Sequence, residues 1–200
     1  MSRPALQSIF RIAMLMAVVL AAGSTAFATT VTYSTEGSIN GGAFSNNPSI
    51  TFGSGANQFT FDFNGIVGGS VNANPSTFAS FGYFETIGTT SGATIPANQT
   101  FTLKIFQNLP NSGTGTLAAT LSGTVSFNSS SATVSFSQTS TTIGGVNYAL
   151  QYNPVALVPF STLAGDTTLQ GVITATPEPL TFAFVGAGLI GLGLLRKRAS

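Results

Sequence analysis

Phe59-Thr60-Phe61-Asp62-Phe63 is followed at once by Asn64-Gly65. Successive side chains of a strand point to opposite faces, so the three phenylalanines share one face and Thr60 and Asp62 the other. Asn-Gly then supplies a hairpin turn. The same alternation recurs at Phe101, Leu103 and Ile105, separated by Thr102 and Lys104. It returns at Leu117, Ala119 and Leu121, at Val125 and Phe127, at Val134 and Phe136, and at Val146, Tyr148, Leu150 and Tyr152. Turn clusters lie between these runs: Asn40-Gly41-Gly42, Gly68-Gly69, Asn111-Ser112-Gly113, Asn128-Ser129-Ser130 and Gly144-Gly145. The pattern predicts half-buried antiparallel strands from Thr29 to Thr176, with phenylalanine and tyrosine filling the core. The expected fold is all-β, an antiparallel β-sandwich of jelly-roll-like type with roughly eight to ten strands. No internal repeat points to a β-helix or a propeller.

Composition narrows the chemistry. The chain has 200 residues, enough for one domain of ordinary size. It contains no cysteine, histidine or tryptophan, which removes disulfides, thiolate nucleophiles, Ser-His-Asp chemistry and histidine or cysteine metal sites. No cofactor is expected. Only 6% of residues are charged, and the formal net charge of +1 conceals a basic excess at the two ends. Between Thr29 and Thr176, Lys104 stands against Glu36, Asp62, Glu85 and Asp166, a net charge of −3. Without a basic patch for phosphates, nucleic acid is not an expected partner.

The ends carry targeting signals. Arg3 and Arg11 precede the apolar run Ile12 to Ala22, and Ala26-Phe27-Ala28 provides small residues for signal peptidase. This predicts a secretory signal peptide over residues 1–28, cleaved at the site marked by Ala26 and Ala28. Its eleven-residue apolar run is too short for a ~30 Å hydrocarbon core. At the other end stand Pro177-Glu178-Pro179, then Leu180 to Leu195 with no charged residue, then Arg196-Lys197-Arg198. Sixteen residues of helix span about 24 Å, marginal for a bilayer but feasible with snorkelling arginines and local thinning. The basic cluster after the apolar run places the C-terminus in the cytoplasm and the body outside.

Those last two dozen residues resemble the PEP-CTERM sorting signal of Gram-negative bacteria, also described as the ice-binding protein C-terminal domain. The resemblance implies a substrate of exosortase, a membrane-embedded cysteine protease or transpeptidase that recognises the motif in bacteria making exopolysaccharide. Two prolines hold Glu178 in an extended segment next to the bilayer, and Pro179 can open the helix that follows. The stretch from Thr100 to Thr142 also resembles ectodomains found ahead of this signal. The implied protein is a precursor anchored in the inner membrane, then released to the cell surface or extracellular matrix. Its partners would be signal peptidase, exosortase, the cytoplasmic membrane and exopolysaccharide.

For the body, the expectation is a non-catalytic role, weighed against a carbohydrate-binding module and a polysaccharide-acting enzyme. Glu36, Asp62, Glu85 and Asp166 are the only acids for a glycosidase pair, which needs two carboxylates ~5 to 9.5 Å apart. Alternation puts Asp62 on the solvent face, and Asp166 follows Gly165 in a turn. Asp62-x-Asn64-Gly65 lacks the later ligands of a calcium loop. Tyr33, Tyr83, Tyr148 and Tyr152 are the side chains that combine a stacking face with a polar edge for a sugar. Ice binding would need a regular threonine ladder, which does not recur at a fixed period. The sequons Asn98-Gln99-Thr100 and Asn128-Ser129-Ser130 read as turns in a bacterium.

Overall fold

The computed structural model describes residues 29–88 and 91–175. Apart from one 3-10 turn at Leu163–Gly165, their regular structure is entirely strand. The segments in chain order are β1 (Thr29–Ile39), β2 (Ser49–Ser54), β3 (Asn57–Asn64), β4 (Gly69–Ala73), β5 (Ser76–Gly88), β6 (Ala93–Thr94) and β7 (Gln99–Leu109). They continue as β8 (Gly113–Ser122), β9 (Thr124–Val125), β10 (Thr133–Phe136), β11 (Ser140–Ile143), β12 (Val146–Leu150), β13 (Val155–Ala156) and β14 (Asp166–Ala175). No described helix is long and apolar enough to cross a membrane. The signal peptide with Ala26 and Ala28, the Pro177-Glu178-Pro179 motif, the apolar segment Leu180 to Leu195 and Arg196-Lys197-Arg198 lie outside the described residues.

Two six-stranded antiparallel sheets pack face to face. The first has the order β13-β10-β8-β7-β1-β4 and the second β11-β12-β14-β5-β3-β2; β6 and β9 form a separate short ribbon. The fourteen segments outnumber the eight to ten expected; β6, β9 and β13 are only two residues long, and eleven longer strands remain. Phe127 and Tyr152, placed in strands by alternation, fall just beyond β9 and β12 and are exposed.

The predicted faces are otherwise the observed ones. Phe59, Phe61 and Phe63 of β3 point inward from the second sheet and meet Phe101, Leu103 and Ile105 of β7 from the first, all buried. Phe101 is the hub of an aromatic cluster. Its ring lies 5.1 Å from those of Phe63 and Phe84, 6.4 Å from Phe61 and 6.3 Å from Phe136, in tilted or edge-on arrangements. Burial of large apolar side chains at about 1.5–3 kcal/mol each is the main force closing the two layers.

A bulge in β5 locks the layers polar-to-polar. Thr168 of β14 pairs with Tyr83 and Gln170 with Ser80, so β5 carries one extra residue around Phe81 and Gly82. Carbonyls there are taken by side chains of the opposite sheet: the Tyr33 hydroxyl donates to the Ser80 carbonyl at 2.7 Å, and Thr35 Oγ1 donates to that of Phe81 at 2.9 Å. Thr35 Oγ1 also accepts from the Ile66 N–H at 2.7 Å. The Tyr148 hydroxyl, from the second sheet, donates to Gln107 Oε1 in the first at 2.8 Å. The inward-facing Gly171 gives the Phe81 ring its room, since a Cβ there would strike Phe81 Cε2, and Gly82, with φ of 118°, packs against the Asn64 carbonyl and the Phe63 ring.

Candidate functional site

Outward positions of the second sheet bring together residues far apart in sequence. In the antiparallel register, Ser49 of β2 lies opposite Asp62 of β3, Asp62 opposite Glu85 of β5, and Glu85 opposite Asp166 of β14. Directly opposed residues share a face. Three of the body's four acids therefore stand in one row across three adjacent strands, over roughly 10 Å at ~4.8 Å per strand. Asp166 opens β14 rather than sitting inside a turn. Asp62 and Asn64 lie in the extended strand β3 and not in a loop.

The next row holds Asn64, Tyr83 and Thr168. Asn64 Nδ2 donates to Glu85 Oε2 at 3.4 Å and Asn64 Oδ1 accepts from Asn47 Nδ2, so the carboxylate beside it has a neutral amide partner and no cation. Beyond lie Ser80 and Gln170, then Phe78 and Val172. A shallow, open hollow sits here, lined by Phe78, Ser80, Gln151, Thr168 and Gln170. Phe78 is 72% exposed and Tyr152, beside Gln151, 62%. Gln151 Nε2 donates to the Tyr152 hydroxyl at 3.1 Å, but Gln151 Oε1 is shut off from solvent with no hydrogen-bond partner. Asp62 Oδ1, in the acid row, is in the same condition.

Compared with protein families, with curated proteins and with solved structures, the chain matches none.

The four tyrosines divide cleanly. Tyr33 and Tyr148 are 3% and 0% exposed, lie 6.1 Å apart edge-on, and tie the sheets together; they are core residues and not sugar platforms. Burial raises the pKa of both phenols, and for Tyr148 the nearby Tyr33 adds to the rise. Tyr83 and Tyr152 remain at the surface. Alternation alone did not separate the pairs, because Tyr83 sits next to the bulge and Tyr152 just past the end of its strand.

The remaining charges lie on the other sheet. Glu36 faces Lys104 across β1 and β7, and Lys104 Nζ lies 4.4 Å from the Phe106 ring centroid and 5.0 Å from that of Phe44. The single lysine of the body is thus held by aromatic faces on the first sheet, away from the acid row. Among the described residues, no group of three or more metal-ligating side chains is arranged to hold a metal ion. The second sheet's outer face offers carboxylate and amide oxygens beside exposed rings, an acceptor-rich surface for recognition.

Proposed function

We propose that this chain is an exported surface or extracellular-matrix protein of a bacterial envelope, acting without catalysis and associated with exopolysaccharide. Its signal peptide is removed after Ala28. The segment Leu180 to Leu195 holds the precursor in the inner membrane with Arg196-Lys197-Arg198 in the cytoplasm, and exosortase processes it at Pro177-Glu178-Pro179. The sandwich is of the jelly-roll-like kind, a reading supported by a chain that passes repeatedly between the two sheets with every neighbouring pair antiparallel.

The observation that carries this reading is where the signals fall relative to the strands. β1 begins at Thr29, directly after Ala26-Phe27-Ala28, and β14 ends at Ala175, two residues before Pro177. Cleavage at both signals leaves every described strand from β1 to β14, and the pairings between them, intact, as processing of a folded precursor requires.

Intact-mass measurement on membrane and extracellular fractions of the host, with and without exosortase, tests it. Loss of residues 1–28 and of the segment after Pro177-Glu178-Pro179, dependent on exosortase, is the expected result. An intact C-terminus retained in the membrane of both strains would make Leu180 to Leu195 a plain anchor and overturn the sorting claim.

A second reading, a polysaccharide-binding module, is favoured by the exposed Phe78, Tyr83 and Tyr152 around the hollow. The row Asp62, Glu85 and Asp166 favours the enzyme alternative less, because among the described residues it stands on an open sheet face.

A further inference from the structure

We propose that the outer face of the second sheet binds an amino-sugar polysaccharide bearing free ammonium groups. In this arrangement Phe78 and Tyr83 stack on sugar rings, and the row Asp62, Glu85 and Asp166 holds the ammonium groups. The inference deepens the matrix reading above and rests on it for the choice of a glycan as the polymer.

Charge points to the ligand first. Three carboxylates in register on adjacent strands repel one another, an arrangement that costs stability in an isolated sheet. The body's one lysine is sequestered between Phe44 and Phe106 on the other sheet, so no basic side chain of the body relieves the row. A cationic partner would remove the repulsion and leave every protein contact in place.

Hydrogen-bonding capacity points the same way, independently of charge. Asp62 Oδ1 in the row and Gln151 Oε1 in the wall of the hollow are buried acceptors with no donor. Buried acceptors are normally satisfied, and these two belong to residues of the same face, Asp62 in the acid row and Gln151 in the wall of the hollow. A ligand matching that face must be rich in donors, which hydroxyl and ammonium groups supply.

Ring and row geometry then select a sugar polymer over a basic peptide. Phe78 is 72% exposed beside the hollow and Tyr83 occupies the row between hollow and acids, giving apolar platforms for the faces of flat sugar rings. Ser80, Thr168 and Gln170 line the space between them with short polar groups suited to ring hydroxyls. A glycan laid along β5 passes from Phe78 over Ser80 and Tyr83 to Glu85, where Asp62 and Asp166 flank it on the neighbouring strands.

The test is calorimetric titration of the full chain with three probes: a fully deacetylated glucosamine hexamer, its fully N-acetylated counterpart and hexalysine. Binding of the deacetylated hexamer, at least tenfold tighter than the acetylated one and weakened by added salt, is the expected result. Phe78→Ala and Glu85→Gln should each weaken it at least tenfold, with circular dichroism unchanged. Glu85→Gln should at the same time raise the melting temperature of the free protein, which a merely structural acid would not do. No binding of the deacetylated hexamer, or equal binding of both hexamers, would overturn the proposal. Hexalysine binding as tightly, with no loss in Phe78→Ala, would assign the face to a basic peptide instead. Processing by mass and binding by calorimetry are separate readouts: a processed protein that binds neither hexamer sinks only this inference, and an unprocessed one that binds sinks only the sorting reading.

Discussion

Tyr148 of β12 donates a hydrogen bond to Gln107 of β7 at 2.8 Å, joining the second sheet to the first between two buried side chains. Gln107 is 1% exposed and its Nε2 donates at 2.6 Å to the Asn111 carbonyl, so both ends of the amide are used. Tyr148→Phe keeps the ring and leaves Gln107 Oε1 buried without that donor. The expected loss is ~1–3 kcal/mol in urea unfolding, the cost of a stranded buried acceptor. A loss well below that range would mean the amide finds water or another donor.

The same burial makes the fold sensitive to alkali. Tyr33 and Tyr148 have folded-state pKa values raised above the ordinary 10 by desolvation. Their protonated forms are favoured in the folded state, so stability is fully present below pH 10 and lost as pH rises above it, when unfolded tyrosine ionises first. Each such group removes about 1.4 kcal/mol per pH unit between its unfolded and folded values. Denaturant unfolding at pH 9, 10 and 11 should show this decline, and Tyr148→Phe should flatten it. An unchanged slope in the variant would assign the alkaline loss elsewhere.

Gly171 of β14 faces inward under Phe81, and a Cβ there would overlap the ring. Because the bulge and the Tyr33 and Thr35 hydrogen bonds hold the β5 backbone at this point, the ring has little room to retreat. Gly171→Ala should destabilise by ~1–3 kcal/mol by overpacking. Thermal unfolding of the variant measures it, and an unchanged melting temperature would show that the core can shift locally.

Phe101 and Phe78 are chemically identical and structurally opposite. Truncating Phe101, fully buried among four aromatic rings, should cost ~3–5 kcal/mol through lost burial and a cavity. Phe78→Ala, at a largely exposed position, should change stability by less than ~0.5 kcal/mol. Paired denaturation curves check both values, and comparable losses would mean that Phe78 packs in solution against something.

The layering of this protein is legible in its residues. Period-two alternation at Phe59, Phe61 and Phe63 and at Phe101, Leu103 and Ile105 assigns faces because strand geometry leaves a side chain only two directions. Glycine and asparagine clusters mark where strands stop, because those residues accept the backbone angles turns require. The scarcity of charge, the lack of histidine and cysteine, and the order of proline motif, apolar run and basic cluster are likewise properties of the chain before it folds.

What alternation could not supply is which strand lies beside which. Asp62, Glu85 and Asp166 are separated by tens of residues, and only the pairing of β3 with β5 and of β5 with β14 puts them in one row. A one-residue slip in either pairing would break it up. The division of the tyrosines depended likewise on the β5 bulge and on the end of β12. Local chemistry chose the two faces of every strand; long-range pairing, driven by burial of the aromatic core, decided which residues meet on them.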